Sequence, residues 1–206
     1  TSKDVCCNLS VMFSIRDGRL DMTVTNRSND LIWGALGANV VHFSILQEYM
    51  ATCIGVEVGV YNQFSNNMHV YTDRFEPEKW LEWEEHWNRK EDPYELLVGD
   101  FKPFPIVKDP ATFDRECAQF VEDNKDSETV TGMAKWDEPF LNEVAQPMMM
   151  AFHNHKWRDY GPAQEWIEKV KSDDWRIAGT NWILKRFAGW KRKSAADRRA
   201  ALQDPN

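Results

Sequence analysis

The sequence predicts an α+β fold, in which a twisted mixed sheet and a long buried helix come first and a mainly helical region follows. Three observations support this prediction. Two strand-like segments flank an Asp-Gly pair near the start, a long apolar stretch follows them, and helical patterns dominate from about residue 75 onward.

Strands and one helix order the first part of the chain. Residues 11–15 and 20–25 have strand composition, and the Asp17-Gly18 pair between them is typical of a tight hairpin turn. Residues 39–53 repeat apolar side chains with few polar positions, which predicts a largely buried helix. Two further strands are predicted over residues 56–61 and 68–71.

Helices dominate the second part. Helical patterns cover residues 78–89, 111–122, 138–155, 164–170 and 174–190. In the first of these, Trp80, Trp83 and Trp87 share one face. Basic residues dominate 185–199, which predicts a solvated helical tail.

The composition excludes several classes of protein. The chain has 206 residues, a net charge of −8 and 42% hydrophobic residues, which is typical of a globular domain. It contains no run of about 18 apolar residues, as a membrane span requires, and its first residues lack the apolar stretch of a signal peptide. The acidic balance argues against binding to nucleic acid over the whole surface.

The cysteines and histidines favour neither a disulfide scaffold nor a metal site. The four cysteines include no Cys-x-x-Cys pair, so we expect free thiols in a reducing, cytoplasmic compartment. His153 and His155 offer two ligands, which are too few for a metal site, and we interpret them as surface residues at the end of a helix.

Several residues that could act as a nucleophile or bind a substrate lie in the first third of the chain. Cys7 directly precedes the first strand, and a thiolate is a strong nucleophile. Arg27 and Ser28 follow the hairpin, and such a pair on a loop can bind a phosphate. His69 and Tyr71 share a strand face and can bind sugar hydroxyls. Taken singly, these residues are also compatible with a surface cation and a half-buried His and Tyr.

In their order along the chain, these pieces resemble the superfamily of thymidylate synthases and deoxypyrimidine nucleotide hydroxymethylases. The resemblance covers about residues 5–72 and begins at the family's nucleophile. It is carried by Cys7-Asn8, Arg16-Asp17-Gly18-Arg19-Leu20, Asn26-Arg27-Ser28-Asn29-Asp30, Trp33-Gly34, Asn39 and His69-Val70-Tyr71.

The resemblance implies a thymidylate synthase-like fold and a covalent mechanism. Cys7 would add to C6 of a pyrimidine, and C5 would then accept a one-carbon unit from 5,10-methylenetetrahydrofolate, the co-substrate. Arg27 and Ser28 would bind the 5′-phosphate of the nucleotide. His69 and Tyr71 would bind the deoxyribose.

The resemblance also implies the remaining roles. Asn39 would read the edge of the base, and Asp30 would have a catalytic role near both the base and the folate. Gly34 would lie on the folate side. Asn8 takes the place of the family's catalytic His, and Cys6 is the alternative nucleophile.

Two departures from the family pattern leave questions open. The family's Gly-Leu-Pro-Phe-Asn corresponds to residues 34–39 here with one residue more, which leaves the choice between uracil and cytosine open. In the family, about half of the protein precedes the nucleophile, and nothing here corresponds to it. We expect a fragment, a separate chain that supplies this half, or a protein that has lost catalysis.

The expected function is the conversion of dUMP to dTMP by a catalytic region over residues 1–150, followed by a helical, basic extension over 151–206. Hydroxymethylation of dUMP or dCMP, as in phage relatives, is the alternative. A catalytically silent nucleotide-binding or assembly partner, which uses the Trp-bearing helix, is an alternative of another class. The resemblance further implies a homodimer with its sheets packed face to face, and we expect neither membrane nor nucleic-acid partners.

Overall fold

The computed structural model describes residues 6–73, 103–125 and 135–192, with side chains up to residue 187. The chain divides into two compact units, Thr1–Glu91 and Asp92–Asn206. The expected boundary at residue 150 separates a catalytic region from a basic extension, and it stays a prediction. The helix predicted around Trp83 and the basic tail after residue 192 lie outside the described residues.

A mixed three-stranded sheet forms the first unit. Strands β1 (Asn8–Arg16) and β2 (Arg19–Asn26) make the predicted antiparallel hairpin. Asp17 and Gly18 connect them with φ values of 48° and 75°, as a tight turn between twisted strands requires. Strand β4 (Glu57–Ser65) lies parallel to β2 on its other side.

A second pairing connects two short segments that carry candidate site residues. Strand β3 (Asn29–Asp30) lies parallel to β5 (Met68–His69), and Asp30 is opposite His69. The residues predicted from widely separated parts of the sequence are thereby brought side by side.

Helix α1 (Asn39–Ile54) is preceded by a π-helical segment, Leu31–Ala38, which is kinked at Gly37. The backbone N–H of Asn39 donates to the carbonyl of Gly34, five residues earlier. A π-turn holds one residue more than an α-turn, so this segment accommodates the extra residue noted between Gly34 and Asn39. Gly55 ends the helix with a φ of 81°.

The core of the first unit lies between β2 and α1. Leu20, Met22 and Val24 on one face of β2 are at most 1% exposed. Helix α1 was predicted to be largely buried, but its buried residues are only Gln47 and Ala51. The helix contacts β2 and β4 along one side, so apolar side chains elsewhere on it stay exposed.

Every regular element described in the second unit is a helix. These are α2 (Pro110–Asn124), a π-helical segment (Leu141–Ala145) that continues into α3 (Gln146–Lys156), α4 (Tyr160–Glu168) and α5 (Asp173–Arg192). The core contains Ala151, Tyr160, Ala163, Ile167 and Ile183. With its mixed sheet and helices, the protein has the predicted α+β fold.

The second unit corrects the interpretation of the two histidines. His153 is 8% exposed and therefore buried. His155 is half-buried, with its ring centroid 4.6 Å from that of Trp182 on α5. These side chains pack against the neighbouring helices, so they are not surface residues. Among the described residues, no helix is long and apolar enough to cross a membrane.

Candidate active site

Arg27 lies alongside the segment that carries the two cysteines. Its backbone N–H donates to the carbonyl of Cys7 at 2.9 Å, and its Nε donates to the carbonyl of Cys6 at 3.1 Å. The hairpin causes this contact, because Asn8 pairs with Asn26 and so places residue 27 beside residue 7. The Arg27 side chain therefore contacts the backbone of the segment that carries the two exposed thiols.

Both thiols are exposed, but their surroundings differ. The Cys6 Sγ lies 3.4 Å from the carbonyl oxygen of Asn8, as a weak S–H donor. Cys7 directly precedes β1 and shares its backbone pairing with Arg27. The Arg27 guanidinium, a group that can bind anions, thus lies against the backbone next to Cys7.

Asn8 has a fixed partner in the buried side chain of Asn26. Asn26 Nδ2 donates to the carbonyl of Phe64 at 3.2 Å, so the Asn26 Oδ1 faces away from that carbonyl. This oxygen accepts a hydrogen bond from Asn8 Nδ2 at 2.5 Å. The orientation of the Asn8 amide beside Cys7 thus follows from a backbone carbonyl on β4.

Ser28, His69 and Tyr71 form the second group of candidate residues. The Ser28 Oγ lies 3.5 Å from His69 Nδ1, at the limit of a hydrogen bond. The His69 ring meets Tyr71 edge-on, with centroids 5.1 Å apart, and Trp33 lies 6.0 Å from Tyr71. Because Arg27 and Ser28 are adjacent in sequence, the two groups adjoin at this loop.

Asp30 has one occupied and one orphaned carboxylate oxygen. Its Oδ1 accepts the backbone N–H of Trp33 at 2.5 Å and caps the π-helical segment. Its Oδ2 is buried and has no hydrogen-bond partner among the residues that the structure describes. Buried polar atoms normally have partners, so this oxygen can accept a hydrogen bond from a ligand.

Asn39 is held by a residue that the sequence did not single out. Its Nδ2 donates to Asn29 Oδ1 at 2.9 Å. Gly34 leaves the room for this contact, since a Cβ at that position would lie 2.1 Å from the same oxygen. Asn29 in turn donates to Gln63 and Ser65 on β4. Gly34 thus supports Asn39 sterically.

Four buried or half-buried polar residues were missed by the sequence reasoning: Asn26, Asn29, Gln63 and Ser65. The available signal was the alternation of Gln63 and Ser65 within a strand, which places both on one face. Among the described residues there is no group of three or more His, Cys, Asp or Glu that could hold a metal ion.

Known proteins match the part of the chain that carries these candidate residues. Residues 4–97 match the family model of thymidylate synthase. The deoxyuridylate hydroxymethyltransferase of Pseudomonas phage M6 is 39% identical over 202 residues, which are 94% of this chain and 55% of that protein. That of Bacillus phage SP01 is 53% identical over 74 residues, which are 36% of this chain and 19% of that protein.

A cellular enzyme matches a shorter stretch. The thymidylate synthase of Symbiobacterium thermophilum is 35% identical over 65 residues, which are 32% of this chain and 23% of that protein. The chain therefore spans about half the length of the phage M6 relative and less of the other two. These matches support the assignment of residues 4–97 to the superfamily of thymidylate synthases and deoxyuridylate hydroxymethyltransferases.

Proposed function

We propose that the protein transfers a one-carbon unit to C5 of a pyrimidine deoxynucleotide through a covalent adduct between Cys7 and C6 of the base. The observation that carries this proposal is the double contact of Arg27 with the backbone of Cys6 and Cys7. It holds a side chain that can bind an anion against the backbone segment that carries two exposed thiols. Addition of the thiolate to C6 makes C5 nucleophilic, which divides a difficult bond formation into easier steps.

The neighbouring side chains fit the rest of a nucleotide. Arg27 and Ser28 bind the 5′-phosphate through charge-assisted hydrogen bonds. His69 and Tyr71 bind the deoxyribose hydroxyl, supported by their mutual contact. Asn39 reads the edge of the base, and Asn8 places an amide beside the nucleophile.

The residues at the start of the π-helical segment fit a folate. The orphaned Asp30 Oδ2 accepts from the N–H groups of the pterin, and Gly34 of the same segment lies on the folate side. The co-substrate 5,10-methylenetetrahydrofolate supplies the one-carbon unit. Asp30 has the catalytic task of orienting the folate and the base relative to one another.

We propose dUMP as the substrate, since both phage relatives are named for deoxyuridylate. Two products share the chemistry up to the transfer step. Methylation yields dTMP, and hydroxymethylation yields 5-hydroxymethyl-dUMP. The match to the phage M6 enzyme along 94% of this chain favours the second product.

We further propose a homodimer in the cytoplasm. Met12 and Phe64 are 51% and 63% exposed. Both lie on the face of the sheet opposite α1, because they pair with Thr23 and Thr25 of β2. Burial of this face against a second sheet would remove apolar surface from water. All four cysteines are free, which fits a reducing compartment.

The decisive experiment is incubation with 5-fluoro-dUMP and methylenetetrahydrofolate, followed by intact-mass analysis. We expect an adduct that Cys7→Ser abolishes and Cys6→Ser retains. An adduct on Cys6 instead of Cys7 would contradict the proposal. So would the absence of any adduct, both with the chain alone and after addition of an N-terminal half from the phage M6 enzyme. With dUMP, formation of dihydrofolate identifies methylation, and its absence with turnover identifies hydroxymethylation.

A further inference from the structure

The amide of Asn39 belongs to a relay of side-chain amides that begins at a backbone carbonyl. Gln63 Nε2 donates to the carbonyl of Ala35 at 3.4 Å. A carbonyl oxygen only accepts hydrogen bonds. The Gln63 amide must therefore turn its nitrogen towards Ala35 and its Oε1 towards Asn29.

Asn29 passes this orientation on. Its Nδ2 donates to Gln63 Oε1 at 2.6 Å and to Ser65 Oγ at 3.1 Å, which uses both of its hydrogens. Its Oδ1 is then left for Asn39, whose Nδ2 lies 2.9 Å away. Each amide in the relay has one orientation, since reversal of any of them brings two oxygens or two N–H groups together.

The surroundings make this arrangement difficult to relax. Asn29 is 3% exposed, so water does not replace a lost partner. Gly34 packs tightly against this contact, since a Cβ added there would lie 3.2 Å from Asn39 Nδ2. Asn39 is half-buried, and the relay leaves its Oδ1 and its second N–H for a ligand.

We propose that Asn29 is a positioning residue that locks the amide of Asn39 and thereby sets the choice between uracil and cytosine. This inference rests on the proposed function, in which Asn39 reads the base. Uracil offers an N3–H donor and an O4 acceptor, whereas cytosine offers an N3 acceptor and an amino donor. An amide that rotates freely can pair with either edge by exchanging its oxygen and nitrogen. A locked amide pairs with one edge, and the proposed substrate dUMP makes this the edge of uracil.

The test is calorimetric binding of dUMP and dCMP to the whole chain and its variants. The wild type is expected to bind dUMP more tightly. Asn29→Ala removes the acceptor, so we expect the ratio of the two dissociation constants to fall by about tenfold or more. A ratio is independent of the folded fraction, so a merely structural loss does not alter it.

Matched controls separate the lock from other effects. Ser65→Ala removes one hydrogen bond to Asn29 without reversing any amide, and it should leave the ratio unchanged. If Asn29→Ala also leaves the ratio unchanged, or if the wild type binds both nucleotides equally, the inference is wrong while the proposed function stands. If the wild type binds neither nucleotide, alone or with an added N-terminal half from the phage M6 enzyme, the proposed function itself is contradicted.

Discussion

Glu116 accepts a hydrogen bond from the backbone of Glu138 in the helical unit, and both carboxylates are buried. Glu116 on α2 accepts the backbone N–H groups of Glu138 and Asp137 at 2.8 and 3.2 Å. Glu138 accepts those of Lys108 and Asp109 at 3.2 and 3.4 Å. The two carboxylates thus satisfy backbone groups that lie outside regular structure and connect α2 to the turn before α3.

Replacement of Glu116 by Ala is expected to lower the free energy of unfolding by about 2–3 kcal/mol, because the buried N–H of Glu138 and the N–H of exposed Asp137 lose an anionic acceptor. Burial opposes ionisation of Glu116, but the N–H groups of Glu138 and Asp137 outweigh it and lower the pKa below the ordinary 4.5. Its contribution is therefore present above about pH 4.5 and lost as the pH falls through the lower folded-state pKa. Urea unfolding followed by circular dichroism measures the change.

Glu122→Ala on the same helix is the matched control. Glu122 is exposed and pairs with exposed Lys125, so we expect a loss below about 0.5 kcal/mol. Equal losses in the two variants would show that the carboxylate of Glu116 has no special structural role.

Gln47 connects α1 to two strands. Its buried Nε2 donates to the carbonyls of Leu20 and Val60 at 2.7 and 3.3 Å. Gln47→Leu keeps the volume but leaves these carbonyls without this partner, so we expect a loss of about 1–3 kcal/mol. Hydrogen exchange should rise in β2 and β4. Ser44→Ala, exposed on the same helix, should change neither quantity; unaltered exchange in Gln47→Leu would refute the connection.

The hairpin and helices could be predicted from the sequence because local patterns determine them. Asp17-Gly18 requires a left-handed turn, and the strands on either side have the expected composition. Helix α1 begins at Asn39, as predicted from the local apolar pattern of residues 39–53. The narrow burial of α1 was not predictable, because periodicity shows which side chains are apolar and does not show what covers them.

Some residues of the candidate site could likewise be predicted from the sequence, and others could not. The residues of the motif, such as Arg27 and His69, were found because their type and order resemble a family pattern. Asn29 and Gln63 escaped notice because their importance lies in a contact across 34 residues of sequence. Buried amide networks of this kind have no periodic signature, and only the pairing of β3 with β5 and the position of β4 reveal them.

Two glycines with open surroundings are expected to respond to Ala in opposite directions. At Gly18 and Gly161, an added Cβ would have no atom within 4 Å. Gly18 has a φ of 75°, so Gly18→Ala should cost about 1–2 kcal/mol of left-handed strain. Gly161 lies in α4 without a positive φ, so Gly161→Ala should stabilise by about 0.5–1 kcal/mol. Thermal unfolding of both variants provides the comparison, and a shift of the same sign in both would be inconsistent with this explanation.

The helical unit is expected to lose stability in mildly acidic solution because of its two histidines on α3. Burial lowers the pKa of His153 below the ordinary 6.5, helped by Lys156. Burial likewise lowers the pKa of His155, helped by Arg158 and Arg186. The unfolded chain therefore binds more protons than the folded one once the pH falls below about 6.5. The free energy of unfolding should decrease from there until the lower folded-state pKa values are reached.

Urea unfolding at a series of values from about pH 7.5 to pH 5.5 measures this slope. His155→Gln removes one titrating group and should flatten it, whereas Phe152→Leu, an exposed neighbour on the same helix, should leave it unchanged. The pKa of Glu116 is below the ordinary 4.5, so this carboxylate does not contribute in this interval. A constant free energy of unfolding across the interval would mean that the buried histidines accept protons as readily in the folded unit as in the unfolded chain.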